Sequence, residues 1–446
     1  MKILISGAGE VGNFLAEMFC NNNHDVILMD KDEARLRKAA AHFDLLTVVG
    51  SGTSIADLEN AHVKSCDLFI AVPPYEEESI LSAIIAKKLG AKKTFGRINN
   101  YEYIQPENRE YFKQLGVDEI IYPEYLGALE IIDSVKQIGT RQVFEFSDGK
   151  LLLIALKIRE KAPLVNHTMM EVSKFHDKNE YFTVAINRRG ETIIPRGNDM
   201  FLHNDLAYVI VTPQGIPQLL FDAGKVSYEV KTIMILGGSR IGRIVAKNLE
   251  GKYKIKLIEI EREKSTKLAD QLEHTLVING DGRNLAFLKD EGIAKVDAFI
   301  AVTNNSEVNI LACQLAKKMG VKRSVAEVEN LDYLDLADDV GIGTLINKKI
   351  IAASHIFRHT LKANVSHVKC LTSTDADVLE LVAYTGAKIT KAPLKKLDLP
   401  RDVNIGGIIR SGEVIIPNGE TRIEPNDHVI VFSLPSGIKK IEKMFL

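Results

Sequence analysis

KILISGAGEVGNFLAEMF, residues 2–19, runs from an apolar strand pattern through three glycines into a helix pattern. Gly7 suits the tight turn that follows the strand. Gly9 removes the Cβ where a phosphate must approach the backbone, and Gly12 lets helix and strand pack closely. The helix N-terminus then offers unpaired N–H groups to an anion. Asp30 ends the next apolar run, DVILMD, about 20 residues further on, where a carboxylate accepts hydrogen bonds from ribose hydroxyls and repels a 2′-phosphate. Together these residues predict a dinucleotide-binding βαβ unit that takes NAD or NADH in preference to NADP.

The alternation continues beyond Asp30. EARLRKAAAHF, SIADLENA and ESILSAIIAKKLG read as helices, and LLTVVG and LFIAV as strands. Continuous apolar strands separated by amphipathic helices imply a parallel sheet covered on both faces. The acidic run Glu76–Glu78 reads as a solvated helix start, favoured by the helix dipole.

The pattern then recurs. VVGSGTS (48–54) returns as VINGDGR (277–283), CDLFIAV (66–72) as VDAFIAV (296–302), and ILSAIIAKKLGAKKT (80–94) as ILACQLAKKMGVKRS (310–324). Val72 and Val302 are 230 residues apart, and so are Gly12 and Gly242. A shorter echo follows each long one: AINRRGETIIPRG (185–197) and IIRSGEVIIPNG (408–419), each trailed by an Asn-Asp pair. The order large, small, large, small indicates a tandem duplication, and repeats this long exclude a solenoid. The expected fold class is α/β, with two Rossmann-like doubly wound parallel-sheet domains, each followed by a small α+β domain. The expected extents are 1–138, 139–224, 230–362 and 363–446.

The second fingerprint departs from the first. It reads Gly237, Gly238, Ser239, Arg240, Ile241, Gly242, with Glu259 as the acid. Ser239 stands where Gly9 stands, and its side chain takes space that a diphosphate would use. The second copy is therefore either a structural relic or a site for another ligand. Glu10 beside Gly9 would oppose an extra terminal phosphate, whereas Arg240 beside Ser239 could pair with one. ATP or ADP is the candidate for that second site.

Lys+Arg number 57 against 59 Asp+Glu, a net charge of −2, which argues against nucleic acid or an anionic membrane surface as the main partner. No apolar run approaches the roughly 18 residues of a membrane helix, and the N-terminal pattern is not that of a signal peptide. The cysteines, Cys20, Cys66, Cys313 and Cys370, are scattered without a CxxC. This fits a reducing compartment without a disulfide frame.

An enzyme would need a proton donor or acceptor beside the nucleotide. Tyr384 and Lys388 have a Tyr-x-x-x-Lys spacing, but Gly386 lies between them and no helix pattern aligns them. His355 and His359 lie four apart in ASHIFRHTL, a spacing that suits a metal. No carboxylate or cysteine stands near them in an HExxH-like pattern. They read as helix-surface histidines, and no metal site is expected. An NAD-dependent oxidoreductase with an unrecognised substrate site is the alternative function.

ISGAGEVGNFLAE, VVGSGTSIADLENAHVKSCDLFIAV and AKKLGAKKTFGRINNYEY, with MILGGSRIG, LIEIERE and AVTNNSEVNILACQLAKKMG in the second copy, resemble the nucleotide-binding half of the regulator-of-potassium-conductance (RCK) domain family. The small units resemble that family's C-terminal domain, so the resemblance covers essentially the whole chain. It implies a non-enzymatic, cytoplasmic protein that binds NAD(H) or adenine nucleotides. It also implies a homo-oligomer, dimer or tetramer, on the inner face of a Trk-type potassium-translocating membrane subunit. Matched by position, the first nucleotide site would comprise Gly7, Ala8, Gly9, Glu10, Val11, Gly12, Asp30, Ser51, Gly52, Thr53, Pro73, Pro74 and Arg97. The second would comprise Gly237, Gly238, Ser239, Arg240, Ile241, Glu259, Asp281, Thr303 and Asn304. Pro73–Pro74 departs from the Thr or Ser that many members carry there, as the second copy does at Thr303.

Overall fold

The computed structural model describes all residues except 137–141, 148, 176–179, 226–228, 362–364, 372–373 and 375. The boundaries expected at 138–139 and 362–363 lie outside the described residues. The first copy opens with β1 (Lys2–Ser6), α1 (Glu10–Asn21), β2 (Asp25–Asp30), α2 (Glu33–His42), β3 (Leu46–Val49) and α3 (Ile55–Asn60). It continues with β4 (Leu68–Ala71), α4 (Glu76–Lys88), β5 (Lys93–Arg97), α5 (Pro106–Leu115), β6 (Glu119–Ile121) and α6 (Pro123–Lys136). The first small region holds β7 (Gln142–Phe146), β8 (Leu151–Lys157), α7 (Met169–Val172), β9 (Tyr181–Arg188), β10 (Glu191–Ile193), β11 (Leu206–Val211) and α8 (Ile216–Asp222).

The second large copy holds β12 (Thr232–Leu236), α9 (Arg240–Leu249), β13 (Lys254–Glu259), α10 (Arg262–Gln271), β14 (Thr275–Asn279) and α11 (Leu285–Asp290). Then come β15 (Ala298–Ala301), α12 (Ser306–Lys318), β16 (Arg323–Glu327), α13 (Asp332–Asp339), β17 (Thr344–Ile346) and α14 (Lys348–Phe357). The last region holds β18 (Val365–Cys370), β19 (Asp377–Val382), β20 (Val403–Arg410), β21 (Glu413–Ile415), β22 (His428–Ser433) and α15 (Pro435–Phe445).

Both large sheets are parallel and share one strand order, β3-β2-β1-β4-β5-β6 and β14-β13-β12-β15-β16-β17. The order reverses beside the central strand, and it is there, past the carboxyl ends of the strands, that such sheets hold ligands. The central strands are apolar because helices cover both faces: Ile3, Leu4, Ile5, Leu68, Phe69 and Ile70 are at most 1% exposed. Polar side chains start the helices. Asp32 and Ser54 accept amide N–H groups from α2 and α3, and Asn284 and Asn305 do so for α11 and α12.

The small sheets are antiparallel and also match in order, β10-β9-β11-β8-β7 against β21-β20-β22-β19-β18. Each has a two-residue hairpin whose residues both take positive φ, Arg189–Gly190 and Ser411–Gly412. That is the primed turn whose twist suits adjoining strands. Arg188 grips Asp205 through Nε and a terminal nitrogen at 2.8 Å each, and Arg410 grips Asp427 at 3.0 and 2.8 Å. Both aspartates are 1% exposed. Removing either arginine would leave a buried carboxylate without its charged partner, which is destabilising.

The chain divides into two compact units, Met1–Leu126 with Lys348–Thr360, and Gly127–Asn347 with Leu361–Leu446. In the first unit, α14 from the end of the second copy lies against α1, with the Phe19 and Phe357 ring centroids 6.5 Å apart. In the second unit the two small sheets share one core, in which Phe146, Leu151 and Tyr208 meet Ile409, Ile430 and Phe432. Among the described residues no helix is long and apolar enough to cross a membrane.

Candidate functional site

At the end of β1, Gly7 has φ +109°, and a Cβ there would lie 3.0 Å from the Val72 carbonyl carbon and oxygen. A Cβ on Gly12 would lie 1.8 Å from the Gly7 oxygen. These two glycines are thus required by the fold itself. Gly9 differs. It precedes α1 without a side-chain cap, and a Cβ there would meet nothing within 4 Å. The space over it is open, and a helix start without a side-chain cap leaves its first N–H groups without intrahelical partners, available to an anion. Val11, in that turn, is half-buried.

Asp30 sits beside this loop. Its Oδ2 accepts the Ala8 N–H at 2.6 Å and its Oδ1 the Asp32 N–H at 2.8 Å. Among the described residues no lysine or arginine pairs with it. Each oxygen keeps lone-pair capacity for a further donor. The loop after β3 closes on the same place. A Cβ on Gly52 would lie 2.3 Å from the Ser6 hydroxyl, while Ser51 and Thr53 pair through their hydroxyls at 2.9 Å. Asp57 accepts the Ser51 N–H at 2.8 Å. Pro73 is buried against Gly7, and Pro74 is exposed.

Arg97 ends β5 and donates to Glu124, at the start of α6, at 3.3 Å. Arg97 Nε, Glu124 Oε2, Asn13 Oδ1 and Asn99 Oδ1 are buried without a hydrogen-bond partner among the described residues. All four lie at the carboxyl end of the sheet. Such orphaned groups are destabilising unless a further polar partner meets them. They, the open Gly9 and an Asp30 carboxylate that no lysine or arginine neutralises among the described residues are the kind of groups a dinucleotide engages.

No sequence motif marks Glu124, and Glu76 does more than start a helix. Glu76 is not merely solvated: its Oε2 accepts the amides of Asn99 and Asn100 at 2.7 and 3.0 Å and so holds the loop after β5. Glu78 pairs with Lys31 at 2.6 Å. Glu10 does not stand as a free anion at the loop either, because the Lys349 ammonium lies 2.8 Å from it.

The second copy keeps the skeleton. Gly237 has φ +104°, a Cβ on Gly242 would lie 2.1 Å from the Gly237 oxygen, and Glu259 accepts the Gly238 and Glu261 amides at 2.9 and 3.0 Å. Its polar groups, however, satisfy one another. The Ser239 hydroxyl accepts the Gly242 N–H at 3.2 Å, one of the groups an anion would use. Lys264 lies 3.0 Å from Glu259. Burial opposes ionisation of Glu259, but the Glu261 amide, Lys264 and the Gly238 amide outweigh it and hold the carboxyl below its ordinary value.

Arg283 grips Asp281 at 2.9 and 2.7 Å. Thr303 donates to Asn309 at 2.7 Å. The Phe287 ring lies where a Cβ on Gly280 would come within 2.2 Å, at the position that Asp57 holds in the first copy. Ile241 is core, whereas Arg240 and Asn304 are exposed.

The other sequence candidates fare differently. Tyr384 is exposed, and Lys388 opens a short 3-10 turn rather than a helix that carries both. His355 and His359 are half-buried rather than on an open helix face, and Glu119 of β6 stands with them.

Residues 3–123 and 233–348 match the TrkA-N domain, and residues 153–220 and 378–446 match the TrkA-C domain. The chain is 32% identical over 438 residues to the Trk system potassium uptake protein TrkA of Vibrio alginolyticus, covering 97% of this chain and 95% of that one. It is 30% identical over 451 residues to the TrkA protein of Azorhizobium caulinodans, covering 100% and 98%. Its fold is similar to that of the GsuK channel bound to NAD, with a TM-score of 0.60 at 17% identity over 100% of this chain and 78% of that one. The chain belongs to the TrkA family, with TrkA-N and TrkA-C domains twice in tandem.

Proposed function

We propose that the chain is the nucleotide-responsive regulatory subunit of a potassium-uptake system, that its first TrkA-N domain takes NAD or NADH, and that its second is closed to nucleotides. Full-length similarity to relatives named for potassium uptake supports the regulatory role, and the NAD-bound GsuK channel supports the ligand class. The observation that carries the division of labour is the contrast between Gly9, open and uncapped, and Ser239, whose hydroxyl already occupies a helix-start amide.

A bound dinucleotide supplies a diphosphate charge and ribose hydroxyls. The α1 amides receive the former and Asp30 the latter. We assign the same ligand to Arg97 and Glu124, because Arg97 Nε and Glu124 Oε2 lack a hydrogen-bond partner among the described residues. The chain performs no reaction in this reading. It biases a homo-oligomer, dimer or tetramer, between two shapes, to the extent that the shapes differ in nucleotide affinity. Its place is the cytoplasmic face of the membrane, against a Trk-type potassium-translocating subunit, with the four domains divided as the sequence suggests.

The test is calorimetry on the full chain with NADH, NADPH and ATP, followed by rubidium flux through vesicles carrying the membrane partner. One tight NADH event, weaker NADPH and an NADH-dependent flux are expected. Steady NADH oxidation with a panel of carbonyl compounds, or flux indifferent to nucleotide, would overturn the reading.

A further inference from the structure

A second cluster lies in the first unit at the amino-terminal ends of β5 and β6, away from the nucleotide loops. Glu119 is the first residue of β6, His355 stands in the last turns of α14, and His359 lies in the 3-10 turn Arg358–Thr360 beyond it. One donor atom from each falls within 4.8 Å of the other two. His359 Nε2 is 3.8 Å from Glu119 Oε1, and the two imidazole rings meet at 63° with centroids 6.2 Å apart. The side chains of His359 and Glu119 are 15% and 22% exposed. The cluster is thus sheltered but reachable. Phe95 closes one side, its ring centroid 5.1 Å from that of His359.

Two imidazoles one helical turn apart and a carboxylate from a strand are the donor set of borderline divalent ions, which take three protein ligands and a water in tetrahedral geometry. The end of α14 adds to this, because a helix C-terminus carries partial negative charge. A cation already sits there. The Lys93 ammonium is 2.6 Å from His359 Nδ1 and 3.7 Å from Glu119 Oε1. Arg109 is 3.9 Å from the other Glu119 oxygen and half-exposed. Lys93 has a flexible stem and is 35% exposed, so it can withdraw to water.

The geometry points to a site for a divalent transition-metal ion of the zinc class, ligated by Glu119, His355 and His359, with Lys93 as its internal competitor. Whether His359 ligates through Nδ1 or Nε2, the ammonium has to leave. With it in place, Nδ1 faces the Lys93 ammonium at 2.6 Å and is closed to a metal. Metal binding would pin the C-terminal end of α14, a helix of the second copy, to the edge strand of the first sheet. The other end of that helix meets the glycine loop at Glu10. The site goes beyond the nucleotide reading and does not depend on it.

The test is zinc calorimetry on the full chain without nucleotide, with cobalt(II) as a spectroscopic probe. One zinc per chain and the visible bands of tetrahedral cobalt are expected. His355→Gln, His359→Gln and Glu119→Gln should each weaken zinc by at least about 10–100-fold, the cost of losing even an outer-shell partner. Lys93→Met should tighten it, an effect that a nonspecific or unfolded sample would not give. Thermal unfolding without metal tells loss of a ligand from loss of fold. Zinc binding unaltered by the two histidine substitutions, or weakened by Lys93→Met in a folded protein, would overturn the proposal, as would no binding by the parent chain.

Discussion

The Lys349 ammonium lies 2.8 Å from the Glu10 carboxylate, so the first helix of the chain is tied at its glycine loop to a helix of the second copy. Lys349 is 12% exposed at its side chain and Glu10 72%. The pair changes what Glu10 can do. Alone it would repel an extra phosphate, but with Lys349 beside it the local charge nearly cancels. Releasing Lys349 should therefore favour anions. Glu10→Gln is expected to tighten ATP relative to NADH by up to about fivefold, the equivalent of about 1 kcal/mol for an ion pair that is largely exposed on one side. Competition calorimetry reads the ratio. Glu10→Gln with an unchanged ratio, or with ATP weakened, would show that Lys349 does not reach the anion.

Asp30 makes a separate prediction. Its two oxygens are held by backbone donors at the place where ribose hydroxyls are expected. Asp30→Asn keeps an acceptor for the Ala8 amide and removes the charge. NADH should weaken by about 10–100-fold, as expected for losing hydrogen bonds to a charged group worth about 1.5–3 kcal/mol. NADPH should weaken less, because the repulsion of its 2′-phosphate goes too. Equal losses for both dinucleotides would contradict the assigned role.

Much of this was legible in the chain. The apolar runs and glycine turns are local, so the duplication, the strand alternation and the first fingerprint stand in the sequence. The shorter echo likewise sets Gly190 and Gly412 at matching places, where the structure has its two hairpin turns. What the sequence hid are partnerships between distant segments. Nothing near Glu76 says that it receives the Asn99 and Asn100 amides, and nothing near Asp57 says that Phe287 takes its place in the second copy. Glu119 and His359 are the clearest case, since the histidines looked surface-bound only because their carboxylate lies in another copy. The path of α14 is hidden too. Its apolar stripe fits any complementary helix, and only three-dimensional packing selects α1.

The second copy yields the prediction that bears on duplication. Ser239 caps the start of α9, and Lys264 neutralises Glu259. Ser239→Gly changes the cap by only a few tenths of a kcal/mol, so the variant should fold. Combined with Lys264→Ala, it should free both the helix-start amide and the acid, and a second nucleotide event per chain should appear in calorimetry. A folded double variant that still takes a single nucleotide would mean that Phe287 against Gly280, or the Thr303–Asn309 pair, closes the site instead.

Acid should act on two carboxylates that hold the central strands. Asp67 accepts the Lys2 amide at 2.9 Å, and Asp297 accepts the Lys231 and Thr232 amides at 3.0 Å each and the Thr232 hydroxyl at 2.8 Å. Each anchors the entry to the central strand of its sheet. Lys92 first, then the Lys2 amide, holds the Asp67 carboxyl below its ordinary range. For Asp297, burial pushes the other way, but the Lys231 amide and the Thr232 hydroxyl and amide outweigh it, so that carboxyl is lowered too. A carboxyl lowered by folding contributes stability that is complete above its unfolded pKa, about 4, and is lost as pH falls through the folded value. Stability should therefore be flat in these terms from pH 7 to about 5 and fall below about 4. Asp297→Asn retains an acceptor but cannot ionise, so it should lower stability at neutral pH and flatten the acid limb of the second sheet. Denaturant midpoints measured from pH 7 to 3 give the comparison. A variant whose midpoint falls with acid as steeply as the parent's would mean that Asp297 does not carry the acid sensitivity.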